Sequence, residues 1–237
     1  MANVRELLAR LNPTTVKYDI GMGGGAPELT AQDIAGALAY VPAGLGREVF
    51  CHLWWPDGAS LTRERLSMAI GQEVWRQVET QLRKLATARL ELLIEQDSAL
   101  GRNAVTDEQR RRIASLEAKL SAAAARTWPT DPYMVTRIRS AVLAEMSKPN
   151  HCGTCKGRGE VMVKETKRIC PTCSGRRILP LSSRDRARAI GRDESTYRES
   201  WRPMYEWLWN RLNDAEQAAA HDFMRALGRT KGQGVAA

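Results

Sequence analysis

The sequence predicts a mainly α chain: a helical body, a small four-cysteine insert built as knuckles on a β-hairpin, and a helix-turn-helix. Three observations carry this. Apolar residues recur at helical spacing along most of the 237 residues. Four of the five cysteines crowd into "CGTCKGRGEVMVKETKRICPTC", from Cys152 to Cys173. The stretch that follows holds two cappable helices around a glycine turn. The hydrophobic content of 43% suits a globular chain. No run of about 18 apolar residues predicts a membrane span.

Residues 1–29 read as a flexible segment. Their "GMGGGAP" (Gly21–Pro27) superficially resembles a phosphate loop but lacks the following Lys-Ser/Thr and a preceding strand, so it reads as a linker. The helical body is expected over 30–149. Thr30 and Asp33 form a capping box before "AQDIAGALAYV". A second helix contains "REVFCHLWW" and ends at Pro56-Asp57-Gly58, with Cys51 as a small buried hydrophobe. A long helix runs from near Thr62 to about Gln96 with Val78, Leu82, Leu85 and Leu90–Ile94 as its stripe. "SALGRNAV" breaks it, and Thr106 with Gln109 opens the next helix, carrying Ile113, Leu116 and Leu120. The two predict an antiparallel helical hairpin over about 77–127. "TWPTDP" closes it, and "YMVTRIRSAVLAEM" is one more helix.

The cysteines of 150–180 stand as two Cys-x-x-Cys pairs: Cys152 with Cys155, and Cys170 with Cys173. Disulfide frameworks belong to short secreted chains, and the opening "MANVRELLARLNP" carries charges where a secretory leader has an apolar core. A reducing cytosol is therefore expected, where this spacing favours one structural zinc held by four thiolates. A redox dithiol would instead need a single pair on a thioredoxin-like strand–helix pattern. Gly157 and Gly175, two residues after each pair, supply the positive φ that ends a knuckle. The alternation around Val161 and Val163, with "KET" as the turn, predicts a short β-hairpin joining the knuckles. Lys156, Arg158, Arg168, Arg176 and Arg177 are expected to lower the thiol pKa values. His151 reads as a neighbour of the site, since four sulfurs fill a tetrahedron.

Residues 181–227 hold the helix-turn-helix and C-terminal helices. Ser182 caps the first helix, Gly191 makes the turn, and Asp193 caps a second helix from about Glu194. Ala187, Ile190, Gly191 and Tyr197 fall where this motif needs a small residue, an apolar one, the turn glycine and a core anchor. The second helix is the candidate reader of a major groove, with Glu194 at its start and Ser195, Arg198, Glu199 and Arg202 projecting outward. Arg186, Arg188 and Arg192 are the candidate phosphate contacts. Trp201, Tyr205, Leu208 and Leu212 read as a core stripe, with Pro203 kinking the helix or starting another. A last helix spans Asp214 to Leu227 and stops at Gly228, leaving 228–237 as a flexible tail.

The formal net charge is +9. Residues 151–202 hold 13 Lys/Arg and 6 Asp/Glu, so this segment carries +7 and the other 185 residues only +2. Such concentration is the footprint of a nucleic-acid binder. No catalytic constellation stands out: His52, His151 and His221 form no triad or zinc-protease motif, and a closed four-cysteine site is structural. The sequence reads as a non-enzyme.

"CGTCKGRGE…CPTCSGRR" followed by "RARAIGRDESTYRESWRPMYEWL", with a weaker echo in "LTAQDIAGALAYVPAGLGREVFCHLWW", resembles the Q antitermination proteins of lambdoid phages, most closely the lambda-type branch. Two departures stand out. "CSGRR" lacks the second glycine of the family's Cys-x-x-Cys-x-Gly-x-Gly, and about 77–127 looks like an insertion onto which no family role carries. The resemblance implies a protein of the bacterial host cytoplasm that binds a DNA site at a phage late promoter. It implies engagement of paused RNA polymerase through the sigma factor and the flap, and passage through terminators. Cys152, Cys155, Cys170 and Cys173 match the family's zinc ligands, and Glu194, Ser195, Arg198 and Arg202 its recognition helix. Oligomerisation on DNA is a further expectation. Two alternatives stay open: a zinc-stabilised promoter-bound repressor or activator, and a client-binding zinc module like that of J-type chaperones. The latter family has four such repeats and a His-Pro-Asp tripeptide, against two repeats and no His-Pro here.

Overall fold

The computed structural model describes residues 4–9, 11, 30–100, 105–148, 150–163, 166–175 and 178–233. The expected linker at Gly21–Pro27, the "KET" turn at Lys164 and Glu165, Arg176, Arg177 and the last four residues lie outside them. Most described residues are helical: α1 (Val4–Ala9), α2 (Ala31–Ala39), α3 (Leu45–Trp54), α4 (Arg63–Leu100), α5 (Asp107–Arg126), α6 (Pro132–Ser147), α7 (Ser183–Ala189), α8 (Glu194–Thr196) and α9 (Arg202–Gln233). A wide π turn, Tyr197–Trp201, joins α8 to α9. The two strands, β1 (Glu160–Val163) and β2 (Thr166–Ile169), form an antiparallel hairpin that pairs Glu160 with Ile169 and Val163 with Thr166.

Two helical cores share α9 as their spine. The larger gathers Leu66, Ile70, Val74 and Val78 of α4 with Met134, Ile138 and Val142 of α6. Tyr197, Met204, Tyr205 and Leu208 complete it. The smaller packs Val4, Leu7 and Leu8 of α1, Ile34 and Leu38 of α2 and Phe50 of α3 on Ala219, Phe223 and Leu227. Adjacent residues of α3 serve both: Val49 enters the larger core, Phe50 and Cys51 the smaller. Burial pushes the Cys51 thiol up to about 11, so it is an inert hydrophobe.

Capping chemistry starts the helices where the sequence placed it. Thr30 and Asp33 form the reciprocal box on α2, and Thr106 and Gln109 the one on α5. α4 and α5 are antiparallel, since Gln81 accepts from the Trp128 backbone N–H at 3.0 Å and Lys119 meets Glu91.

Three expectations are corrected. The flexible segment 1–29 begins with an ordered helix, because Val4, Leu7 and Leu8 make an apolar stripe. The Arg5 Nε and NH2 groups hold both Glu216 carboxylate oxygens, at 2.8 and 2.6 Å. The last helix does not begin at Asp214: α9 is continuous from Arg202, with Pro203 at its second position, where a proline that starts a helix is tolerated. The π turn before it returns the Arg202 N–H to the Tyr197 carbonyl and opens the turn that the proline ring would otherwise crowd. Gly228 does not stop the chain's last helix either; α9 runs on to Gln233. Gly228 has open space around it, and Ala226 and Leu227 anchor the turn before it.

Candidate metal centre and helix pair

Each cysteine pair sits on a tight knuckle at one end of the hairpin. Gly157 (φ +76°) and Gly175 (φ +80°) take the left-handed conformation expected of them. Lys156 and Ser174, each at φ 50°, share it, so two successive left-handed residues end each knuckle. The knuckles face each other with matching parts in register, Thr154 Oγ1 lying 3.0 Å from Thr172 Oγ1.

The four Sγ atoms are buried and lie within 4.8 Å of one another. Cys152 and Cys170 are 3.9 Å apart at sulfur, Cys155 and Cys173 3.7 Å. A disulfide needs about 2.05 Å. Four thiolates around a metal at 2.3 Å in a tetrahedron stand about 3.8 Å apart. The residues therefore fit one metal ion with no open position. The Gly159 N–H donates to Cys155 Sγ at 3.2 Å. The N–H groups of Cys155 and Thr154 hold the Cys152 thiol down at about 7. Those of Cys173 and Thr172 lower Cys170 in the same way. Backbone dipoles lead the causes of both shifts, with no described Lys or Arg among them; Arg176 and Arg177, also expected to contribute, lie outside the described residues. His151 is outside the sulfur cluster and bridges Ile178 as backbone at the foot of the insert.

The Leu179 N–H donates to the Asn150 carbonyl at 2.8 Å, closing the excursion. One residue-pair further on, Glu145 of α6 accepts from the Leu181 N–H at 3.1 Å, from Arg186 Nε and NH2 at 3.0 and 2.7 Å, and from the Tyr205 hydroxyl at 2.9 Å. The Arg186 guanidinium also lies 4.8 Å from the centre of the Tyr205 ring. Burial alone would lower the Arg186 pKa, but the Glu145 carboxylate outweighs it and the net shift is upward. Arg186 is only 4% exposed. It is therefore removed from the expected phosphate contacts: its charge is spent inside the protein, holding α7 to α6 and α9.

The other seven candidate DNA residues lie on the surface. Ser182 and Asp193 cap α7 and α8 through the N–H groups of Asp185 and Thr196. Ala187, Ile190 and Tyr197 are buried between the two helices, and Gly191 turns at φ +67°. The Arg137 guanidinium of α6 donates to the Ile190 carbonyl at 3.0 Å, supporting the turn from behind. Arg188 and Arg192 are exposed on the α7 side. Ser195, Arg198, Glu199 and Arg202 form one exposed face at i, i+3, i+4 and i+7, with Glu194 half-buried at its start. Arg198 pairs with Glu194 and Arg202 with Glu206 along the helix. Over 184–202 the exposed arginines (184, 188, 192, 198, 202) face Asp185, Asp193, Glu194 and Glu199, so this surface is close to neutral. The positive surplus is on the knuckles and hairpin, where Lys156, Arg158, Lys167 and Arg168 are all exposed.

Sequence reasoning missed Glu145 and Tyr205 as partners of Arg186. A signal existed for the first: an acidic residue in the last turns of α6, on the stripe of Ala141, Val142 and Met146. No helix among the described residues is long and apolar enough to cross a membrane. No protein-family profile, no curated protein and no solved structure matches this chain.

Proposed function

We propose that the chain is a DNA-binding transcription antitermination factor with one structural zinc. In this reading it loads onto promoter-proximal paused RNA polymerase at a late promoter and carries it through terminators. The observation that carries the reading is the tie between the metal centre and the helix pair. A closed four-thiolate site, rich in exposed cations, is followed closely in the chain by an exposed face bearing Ser195, Arg198, Glu199 and Arg202, and Glu145 fixes the junction between them by accepting from the Leu181 N–H and from Arg186. Zinc supplies rigidity: it locks two knuckles that have little apolar core of their own.

The division of labour follows from the charges. The knuckle cations and Arg188 and Arg192 attract phosphates, which position the protein without reading sequence. Arg198 and Arg202 reach base edges from the second helix of a helix-turn-helix, exchanging their acidic neighbours for guanine acceptors. The step from DNA binding to antitermination rests on the likeness of the knuckles and the following helix pair to the Q proteins. The helical body, with little net charge, supplies the polymerase interface.

The test is transcription through a terminator by purified polymerase, on a template carrying this protein's own late promoter. Read-through is expected to rise on adding the zinc-loaded protein. Unchanged termination by a protein that demonstrably binds zinc and its DNA site would replace this reading with a promoter-bound repressor or activator.

A further inference from the structure

The described residues between 79 and 127 belong to neither core: α4 leaves the larger core at Val78, and the chain rejoins it at Trp128. Between these points α4 and α5 form a projecting two-helix arm. On α4 of this arm, Ala88, Leu92 and Ala99 are buried on one side, along which α5 packs. At about 100° per residue, Ala86, Leu90 and Ile94 point the opposite way, with Leu93 beside them. That side is bare: Leu90 is 58% exposed, Leu93 52% and Ile94 61%. A helix apolar on both sides is one that is covered on both sides. With Leu82 and Leu100, also exposed, the stripe leaves on the order of 500 Å² of apolar surface open, near the top of what a monomer tolerates.

The charges framing the stripe say what covers it. Arg83 stands seven residues before Leu90 and Asp97 seven residues after, both on the Leu90 side of the helix. An antiparallel second copy, with Leu90 against Leu90, sets Ala86 against Ile94 and Arg83 against Asp97, each twice. Parallel pairing would set like charge against like. The Arg83–Glu79 pair within α4 is exposed at both ends and too weak to compete. Two such faces, with the stems of their flanking charged side chains, reach the roughly 1,200 Å² at which specific interfaces begin.

The geometry points to this face as a homodimer interface, in which two copies pair antiparallel through α4 about a two-fold axis at Leu90, with α5 on the outside of each. Closed two-fold pairing of this kind makes a residue and its partner exchange roles across the axis. The inference does not depend on the proposed function.

Sedimentation of the intact, zinc-loaded protein across the micromolar range tests it. The wild type is expected to reach dimer mass. Leu90→Glu places two carboxylates at the axis and is expected to leave only monomer, with an unaltered helical circular dichroism spectrum, since Leu90 is exposed within one chain. Arg83→Asp and Asp97→Arg are each expected to weaken pairing about tenfold or more, and the double exchange to restore it. A wild type that stays monomeric, because another protein or nothing covers the stripe, would overturn the inference. So would a dimer indifferent to Leu90→Glu, or a double exchange no better than the single ones.

Discussion

Glu145 receives four hydrogen bonds: one from the part-buried Leu181 N–H, and three buried ones from Arg186 and the Tyr205 hydroxyl. Removing one partner of a buried ion pair leaves the other charged and unpaired, which costs about 3–5 kcal/mol. Glu145→Ala is therefore expected to lower stability by that amount in denaturant titration, and Arg186→Ala to fail through folding, losing affinity equally for specific and random DNA. Tyr197 offers a contrast: its hydroxyl is buried beside the Arg186 guanidinium without a hydrogen bond of good geometry, so Tyr197→Phe should change stability little. At the metal centre the sign of the pH dependence follows from the lowered thiols. Cys152 is depressed from 9.0 to about 7, so its contribution is complete above 9.0 and is lost as pH falls through about 7. Zinc affinity, measured by competition with a chromophoric chelator, should weaken below about pH 7 by up to tenfold per pH unit for each thiolate regaining its proton. Affinity that already falls steeply between pH 9 and 7 would mean that Cys152 is not held down by its backbone donors.

The element that matters most for the proposed activity is the α7–α8 pair with its π turn. α8 alone is a single turn. Its stiffness comes from continuity through the π turn into α9, whose Met204, Tyr205 and Leu208 are fixed in the larger core. The exposed face from Ser195 to Arg202 is thus presented at the end of a long buried helix. If this face enters a major groove, Arg198→Ala should cost roughly 1–3 kcal/mol and relax preference at one base position. Arg188→Ala should weaken binding to every sequence and reduce the salt dependence by about one phosphate. Equal losses on specific and random DNA for both variants would remove α8 from the reading role.

At the scale of the whole molecule, the sulfur cluster is separate from both helical cores, with Val161 and Leu179 the apolar side chains packed against it among the described residues. The Glu145–Arg186 clamp holds α7 to the body without using the metal. Chelating the bound metal is accordingly expected to open the knuckles and hairpin alone. Hydrogen exchange should lose protection over about 150–180, and DNA affinity should fall with the loss of ordered cations. The thermal transition of the helical body should persist, since its apolar faces are intact. Collapse of the whole chain on chelation would show that the metal centre supports the body as well as the insert.

The parts of this protein legible in its sequence are those set by short-range geometry. Two residues between thiolates, a glycine two residues beyond, Thr-x-x-Asp and Thr-x-x-Gln boxes and a glycine between capped helices each act within one turn of chain. They place the knuckles, the helix starts and the α7–α8 turn without help from elsewhere. Tertiary packing decided the rest. Nothing near Arg186 in sequence distinguishes it from Arg188; only α6, folded behind it, brings the carboxylate that takes it inside. The same holds for α1, anchored by Glu216 from the far end of the chain, and for α9, which runs on past Gly228. A local preference of about 1 kcal/mol against glycine yields when a helix gains more from its contacts, and those contacts exist only once distant segments have met.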